Sequence, residues 1–167
     1  MSSITLQFRE TNSRIEAGLI ITAVAALLLG TAVYLLDRDW TSTLLLSPFV
    51  AYQWPRSAMF GAFGGFLPAL VHAYAIPVLI IVALRPWPWT RPWVCLLWFT
   101  MASTLEWLQS DVAAASFFPV DRLPGDLSLL KYLENYAVQG QFDILDLIAT
   151  GIGCLAALVV TITISTA

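Results

Sequence analysis

Apolar residues dominate long stretches of this chain, and polar residues gather between them rather than alternating with them. Four stretches approach the length of about 20 mainly apolar residues that a membrane-spanning helix needs. They are residues 15–36, 60–84, 92–109 and 142–164. The first ends at Asp37-Arg38-Asp39 and the second at Arg85-Pro86. The third is short, with polar residues in its last turn, and the fourth is apolar apart from Asp143, Asp146 and its threonines. The pattern predicts an all-α integral membrane protein. It is a single domain over residues 1–167, built as a bundle of four transmembrane helices. The first run exceeds the 7–15-residue core of a signal peptide, so a retained helix is expected.

Two longer connections remain. Residues 41–59 hold LLLSPFVAY, too short to span. Residues 110–141 contain Pro119 and Pro124, then SLLKYLENYAV, where Leu129, Leu130, Leu133 and Tyr136–Ala137 recur at helical spacing. A short amphipathic helix on the membrane surface is expected there.

Composition strengthens the reading. The chain is 59% hydrophobic and only 11% charged, against about 25% charged in a soluble domain. It could not cover itself with a polar surface in water. The net charge of −3 speaks against nucleic acid, which calls for a basic face. Membrane lipids, or other membrane protein subunits, are the expected partners. Cys95 and Cys154 lie inside apolar runs without CxxC or Cys/His spacing, so they read as small buried hydrophobes rather than a zinc site. No nucleotide loop or haem-attachment motif occurs, and the sequence specifies no metal and no cofactor. Tryptophans 87, 89 and 93 flank the turn between the second and third spans, and Trp107 lies near the end of the third, as expected at headgroup level.

Four spans place both termini on one side. Arg9, Arg14, Arg85 and Arg91 crowd a short tail and a tight turn there, whereas Arg38, Arg56, Arg122 and Lys131 are spread over long loops. The density of basic residues predicts N-in, C-in orientation in a bacterial inner (cytoplasmic) membrane.

Ionisable groups inside a span cost about 2.5–3.5 kcal/mol at its centre on insertion scales, so each is a candidate for function. Here they are His72, Glu106, Asp143 and Asp146, with Gln109 and Thr150 as polar companions. Because the helices alternate in direction, all of these fall in the outer half of the bilayer. Glu106 and Gln109 share a face at i,i+3, as do Asp143 and Asp146. Asp146, Thr150 and Gly153 run down one stripe. Such a stripe faces the bundle interior or a wet cavity, since lipid cannot satisfy it. Asp143 also reads as a helix N-terminal residue, and His72 as an interhelical hydrogen bonder. Gly61 and Gly65 form GxxxG, and Gly153 lies on the polar stripe with Gly151 nearby. All four read as helix-packing positions. Pro68 and Pro77 flank His72 and can kink its helix.

The sequence Ser103-x-x-Glu106-x-x-Gln109, followed by Phe142-Asp143-x-x-Asp146, Thr150 and Gly153, resembles the VanZ-like family of small bacterial membrane proteins. His72 matches the family's histidine in position, and the likeness covers about residues 67–158. Gln139 or Gln141 stands where the family has Arg, and Thr150 where it has Asn. The charged residue that usually precedes the histidine is missing. The resemblance implies a fold and a site rather than a reaction; founding members are linked to reduced susceptibility to teicoplanin. Three functions stay open. The protein binds a lipid headgroup or serves as an accessory subunit of a membrane assembly, without catalysis. Alternatively, it is a membrane-embedded enzyme acting on a lipid or lipid-linked sugar at the outer leaflet. Glu106 or Asp146 would then be general base, with His72 as acid or ligand. The third possibility is an ion-coupled transporter, which four helices without an inverted repeat make the least favoured.

Overall fold

The computed structural model describes residues 3–40, 49, 51, 59–85, 87–113, 136–138 and 140–163, with side chains from residue 14 onward. Four helices make up the framework: α1 (Ser3–Leu36), α2 (Phe63–Ala83), α3 (Arg91–Leu108) and α4 (Ile144–Thr163). A single 3-10 turn over Pro88–Thr90 leads into α3. No strand occurs among the described residues. Of the expected surface helix, only residues 136–138 are described, and they are helical; the rest lies outside the described residues.

Among the described residues, three segments are long and apolar enough to cross a membrane: Arg14–Leu36, Phe63–Ala83 and Ile144–Thr163. The expected third span, 92–109, forms α3 but is not among them. Arg91 and Glu106 sit near its ends, and Trp, Thr and Ser dilute its apolar content. The second span is shorter than the 60–84 expected. A turn at residues 59–62 precedes α2, with Gly61 at φ 51°, a left-handed conformation that side chains disfavour.

α2 is the central helix. One stripe of buried residues (Gly64, Pro68, Val71, Ala75, Val78) recurs at steps of four and three, and a second includes Ala73, Pro77 and Ile81. Val71 and His72 meet α1 at Gly30, whereas Leu70, Ala73 and Tyr74 meet α4 at Gly153. A helix buried on two sides takes neighbours on both. α3 packs chiefly on α4 and less on α2. Pro68 and Pro77 remain inside a continuous helix, fully buried.

α4 shows why this packing suits lipid. Its buried face is small: Ala149, Thr150, Gly153, Cys154, Ala157 and Thr161. Its large residues Ile148, Ile152, Leu155, Val159 and Ile162 point outward. In water this arrangement would be inverted. In a bilayer, large apolar groups lose nothing by facing tails, and small ones let backbones approach. Outward-facing threonines follow the same logic. Thr31, Thr100, Thr104 and Thr163 each donate to the carbonyl four residues earlier, at 2.8–2.9 Å. Their hydroxyls thus need no water.

α1 and α2 run antiparallel, as do α3 and α4, whereas α2 and α4 lie parallel. At one end Glu16 of α1 pairs with Arg85 beyond α2. Arg91 of α3 donates to the Thr161 carbonyl of α4 at 3.1 Å. That is a favourable place for a cation, because the C-terminal carbonyls of a helix carry partial negative charge. The polar groups of the next section lie toward the opposite end.

Candidate functional site

α1 and α3 end, and α2 and α4 begin, on the same side of the molecule. Two helix N-termini therefore converge, each with unpaired backbone N–H groups and a partial positive charge. The carboxylates gathered here answer that demand. Asp37, just past α1, accepts the N–H of Met59 at 2.8 Å and of Phe60 at 2.7 Å, in the turn leading into α2. Asp143 caps α4: its Oδ1 accepts the Leu145 N–H at 2.8 Å, and its carbonyl accepts the Asp146 N–H at 3.1 Å.

An Asp-x-x-Asp start invites a capping box, in which the carboxylate three residues into the helix accepts the N–H of the cap residue. Here Glu106, reaching across from α3, takes that N–H instead, with Asp143 N to Glu106 Oε1 at 2.7 Å. Asp146 is thereby released to face Arg38 of the α1 terminus, Oδ2 to guanidinium at 3.8 Å. Arg38 also donates to the Gly65 carbonyl in the first turn of α2. One arginine thus ties α1 to both helices that begin here.

Two tyrosines frame the cluster. The Tyr34 hydroxyl lies within electrostatic reach of Arg38, Asp146 and Glu106. Tyr136, beyond the spans, hydrogen-bonds the Gln109 side chain and feels Glu106, Tyr34 and Asp146. Burial pushes the Tyr136 phenol above its ordinary range, and the Glu106 charge pushes the same way. Tyr136 is therefore a neutral group at physiological pH. Gln109 also lies over Gly140, where a Cβ would collide with its amide.

His72 stands apart from the acids. It makes no hydrogen bond or ion pair with a carboxylate among the described residues. Its ring lies in the α1–α2 contact, over Gly30 and 5.8 Å from the Tyr34 ring. Its Nδ1 is 2.7 Å from the Pro68 carbonyl oxygen. A carbonyl only accepts, so Nδ1 carries the proton and, in the neutral ring, Nε2 is the free acceptor. Tyr34 lies with its ring against this histidine and its hydroxyl in the field of Arg38, Asp146 and Glu106.

Among the sequence candidates, the structure brings Glu106, Gln109, Asp143 and Asp146 together. Thr150 is buried one turn deeper on α4, and His72 stands apart with its ring against that of Tyr34. Among the four glycines expected to pack helices, Gly153 is the one in tight helix contact among the described residues. A Cβ there would collide with the Leu70 carbonyl and stand 2.8 Å from Ala73 Cβ and 3.0 Å from Tyr74 N. Gly151 meets only the edge of Phe99, at 3.5 Å. Gly61 and Gly65 do not pack helices among the described residues. Gly61 precedes α2, and no atom lies within 4 Å of where either Cβ would stand. The sequence reading did not single out Tyr34, Arg38, Tyr136, Gly30 or Gly140. The one available signal was that Asp37-Arg38 follows the first span at the same depth as Asp143 and Asp146.

Most of the polar capacity is engaged, and the remainder is specific. Among the described residues, the buried Asp146 Oδ1 and Ser103 Oγ have no hydrogen-bond partner. No three His, Cys, Asp or Glu side chains among the described residues are placed to hold a metal ion. No family model matches the chain, and no curated protein or solved structure matches it significantly.

Proposed function

We propose that this chain is a four-span, VanZ-like protein of the bacterial cytoplasmic membrane, with both termini inside. It binds a lipid headgroup at its polar end and has no catalytic role of its own. The observation that carries this reading is the division of labour among the carboxylates. Asp37, Glu106 and Asp143 are occupied as caps of backbone N–H groups. A general base must stand within reach of the proton it takes; these three keep further lone pairs, but each is held at a helix terminus by the N–H groups it accepts. Asp146 Oδ1 and Ser103 Oγ are left as buried positions without partners. A buried acceptor without a donor costs about 1–3 kcal/mol. A ligand rich in donors, an amine or hydroxyl headgroup, would recover that cost. A bare phosphate would meet four carboxylates and one arginine, and is disfavoured.

α3 as the fourth span is part of the proposal. It lies antiparallel along α4, from Arg91 beside Thr161 to Glu106 beside Asp143, and so shares the depth of a membrane-spanning segment. Its exposed side chains include Trp93, Leu96, Leu97, Phe99 and Met101, which suit lipid.

The test is purification in mild detergent followed by mass spectrometry of co-purifying molecules. A stoichiometric lipid with an amine or polyol headgroup, retained by the native chain and lost from Asp146→Asn, is expected. Retention of that lipid by Asp146→Asn would overturn the assignment of the site. A stoichiometric set of protein subunits in place of any lipid would replace this reading with that of an accessory subunit.

A further inference from the structure

The contacts between α3 and α4 fix a register that places both cysteines of the chain opposite one another. Glu106 on α3 touches Asp143 at the head of α4. Cys95 lies eleven residues before Glu106, and Cys154 eleven residues after Asp143. In antiparallel helices, equal steps in opposite directions along the chain keep partners level. Eleven residues are about three turns at 3.6 residues per turn, so each step returns to the face it left. The Glu106 contact, made through the backbone N–H of Asp143, puts Cys95 and Cys154 at one level, and their burial in one apolar cluster puts them on inward faces. Contacts on either side of the cysteine pair agree: Phe99 lies against Gly151, and Arg91 against Thr161. Both thiols are free and buried, belong to one apolar cluster, and are near enough for Cys154 to feel charge on Cys95.

We propose that Cys95 and Cys154 are a dithiol latch that closes to a disulfide and fastens α3 to α4. The fold gives the latch a purpose. α3 packs chiefly on α4, and Cys95 is its one buried residue. Its far end carries Glu106, which caps α4 and frees Asp146 for Arg38. A covalent tie three turns away holds that cap in place. Closure breaks two S–H bonds and forms one S–S bond. The two electrons and two protons pass to a lipid-soluble two-electron oxidant of the quinone class, which becomes the hydroquinone. Such an oxidant reaches the pair from the bilayer, where water-borne thiol exchange does not, because exchange requires a thiolate.

The experiment oxidises the full-length protein in its membranes with a short-chain quinone, and in parallel with iodine. Free thiols are then alkylated under denaturing conditions and the intact mass is measured. The expected product is a monomer lacking two hydrogens and taking up no alkylating agent, with peptides containing Cys95 and Cys154 joined until reduced. It should also melt at a higher temperature than the reduced protein, a rise that Cys154→Ala abolishes. The register is tested by moving the first thiol one position, in Cys95→Ala with Leu96→Cys. Leu96 points outward, so that chain should remain reduced. Alkylation of both native thiols after either oxidant, a bond between two copies, or equal closure by the shifted thiol would each overturn the proposal.

Discussion

At the scale of single residues, the carboxylates of the polar end differ in what their removal exposes. Glu106 is an acceptor for one backbone N–H, that of Asp143. Glu106→Gln keeps a carbonyl oxygen at that position and should lower stability by less than about 1 kcal/mol. Glu106→Ala leaves the N–H without its acceptor and should cost about 1–3 kcal/mol. Reversible unfolding in detergent micelles separates the two; an equal loss would show that the hydrogen bond is not what Glu106 contributes. Asp146 and Arg38 are coupled instead. Removing Arg38 leaves the Asp146 carboxylate facing Asp143 and Glu106 without its counter-charge. In a cycle of Arg38→Met and Asp146→Asn, the double variant should be less destabilised than the two single losses added together, by about 0.5–3 kcal/mol, the usual range for residues in contact. Strict additivity would place the pair among those ion pairs that contribute nothing measurable.

At the scale of helices, the decisive contact is α4 on α2 at Gly153. The Leu70 carbonyl and Tyr74 N–H leave no room for a Cβ, and neither is a flexible side-chain end that can swing aside. Gly153→Ala should therefore force the helices apart and cost about 1–3 kcal/mol, as overpacking does. Gly65→Ala, in open space, should be neutral or slightly stabilising, since alanine favours a helix by about 1 kcal/mol over glycine. The same unfolding assay ranks them, and equal effects would contradict the packing described. This contrast shows how far the sequence could be read. The three long apolar segments were plain in it because lipid demands some twenty apolar residues in a row. The common depth of Glu106, Asp143 and Asp146 followed from alternating helix direction. A GxxxG spacing cannot tell a glycine within a helix from one in a preceding turn, and among the described residues Gly61 stands in that turn and Gly65 in α2. Gly30 and Gly140 left no signal. Each is required by a side chain from a distant part of the chain, His72 and Gln109 respectively. The roles of Tyr34, Arg38 and Tyr136 are likewise tertiary. Nothing local to them says that helix N-termini from elsewhere converge beside them.

At the scale of the whole molecule, the acidity of the polar end and the crossing of α3 are one question. If α3 crosses, α2 and α4 begin on the same side of the membrane, and their N-termini together account for an excess of carboxylates there. If α3 merely lay along the surface, Trp89 before it and Gln141 after it would share a side. The antiparallel contact along α4 excludes that arrangement only for as long as α4 itself spans. Both Trp89 and Gln141 are exposed, so each can carry a reporter without disturbing the core. In a chain with Cys95→Ala and Cys154→Ala, single cysteines at Trp89→Cys and Gln141→Cys should behave oppositely toward a membrane-impermeant maleimide in intact spheroplasts. Gln141→Cys is expected to label from outside, and Trp89→Cys only after lysis. The reverse pattern would keep four spans and invert the orientation, because the basic turn at Arg85 and Arg91 would then lie outside. Matching behaviour at the two positions would remove α3 as a span. It would also move the polar end to the same side as the tryptophan turn, and the account of its acidity through two converging helix starts would fail with it.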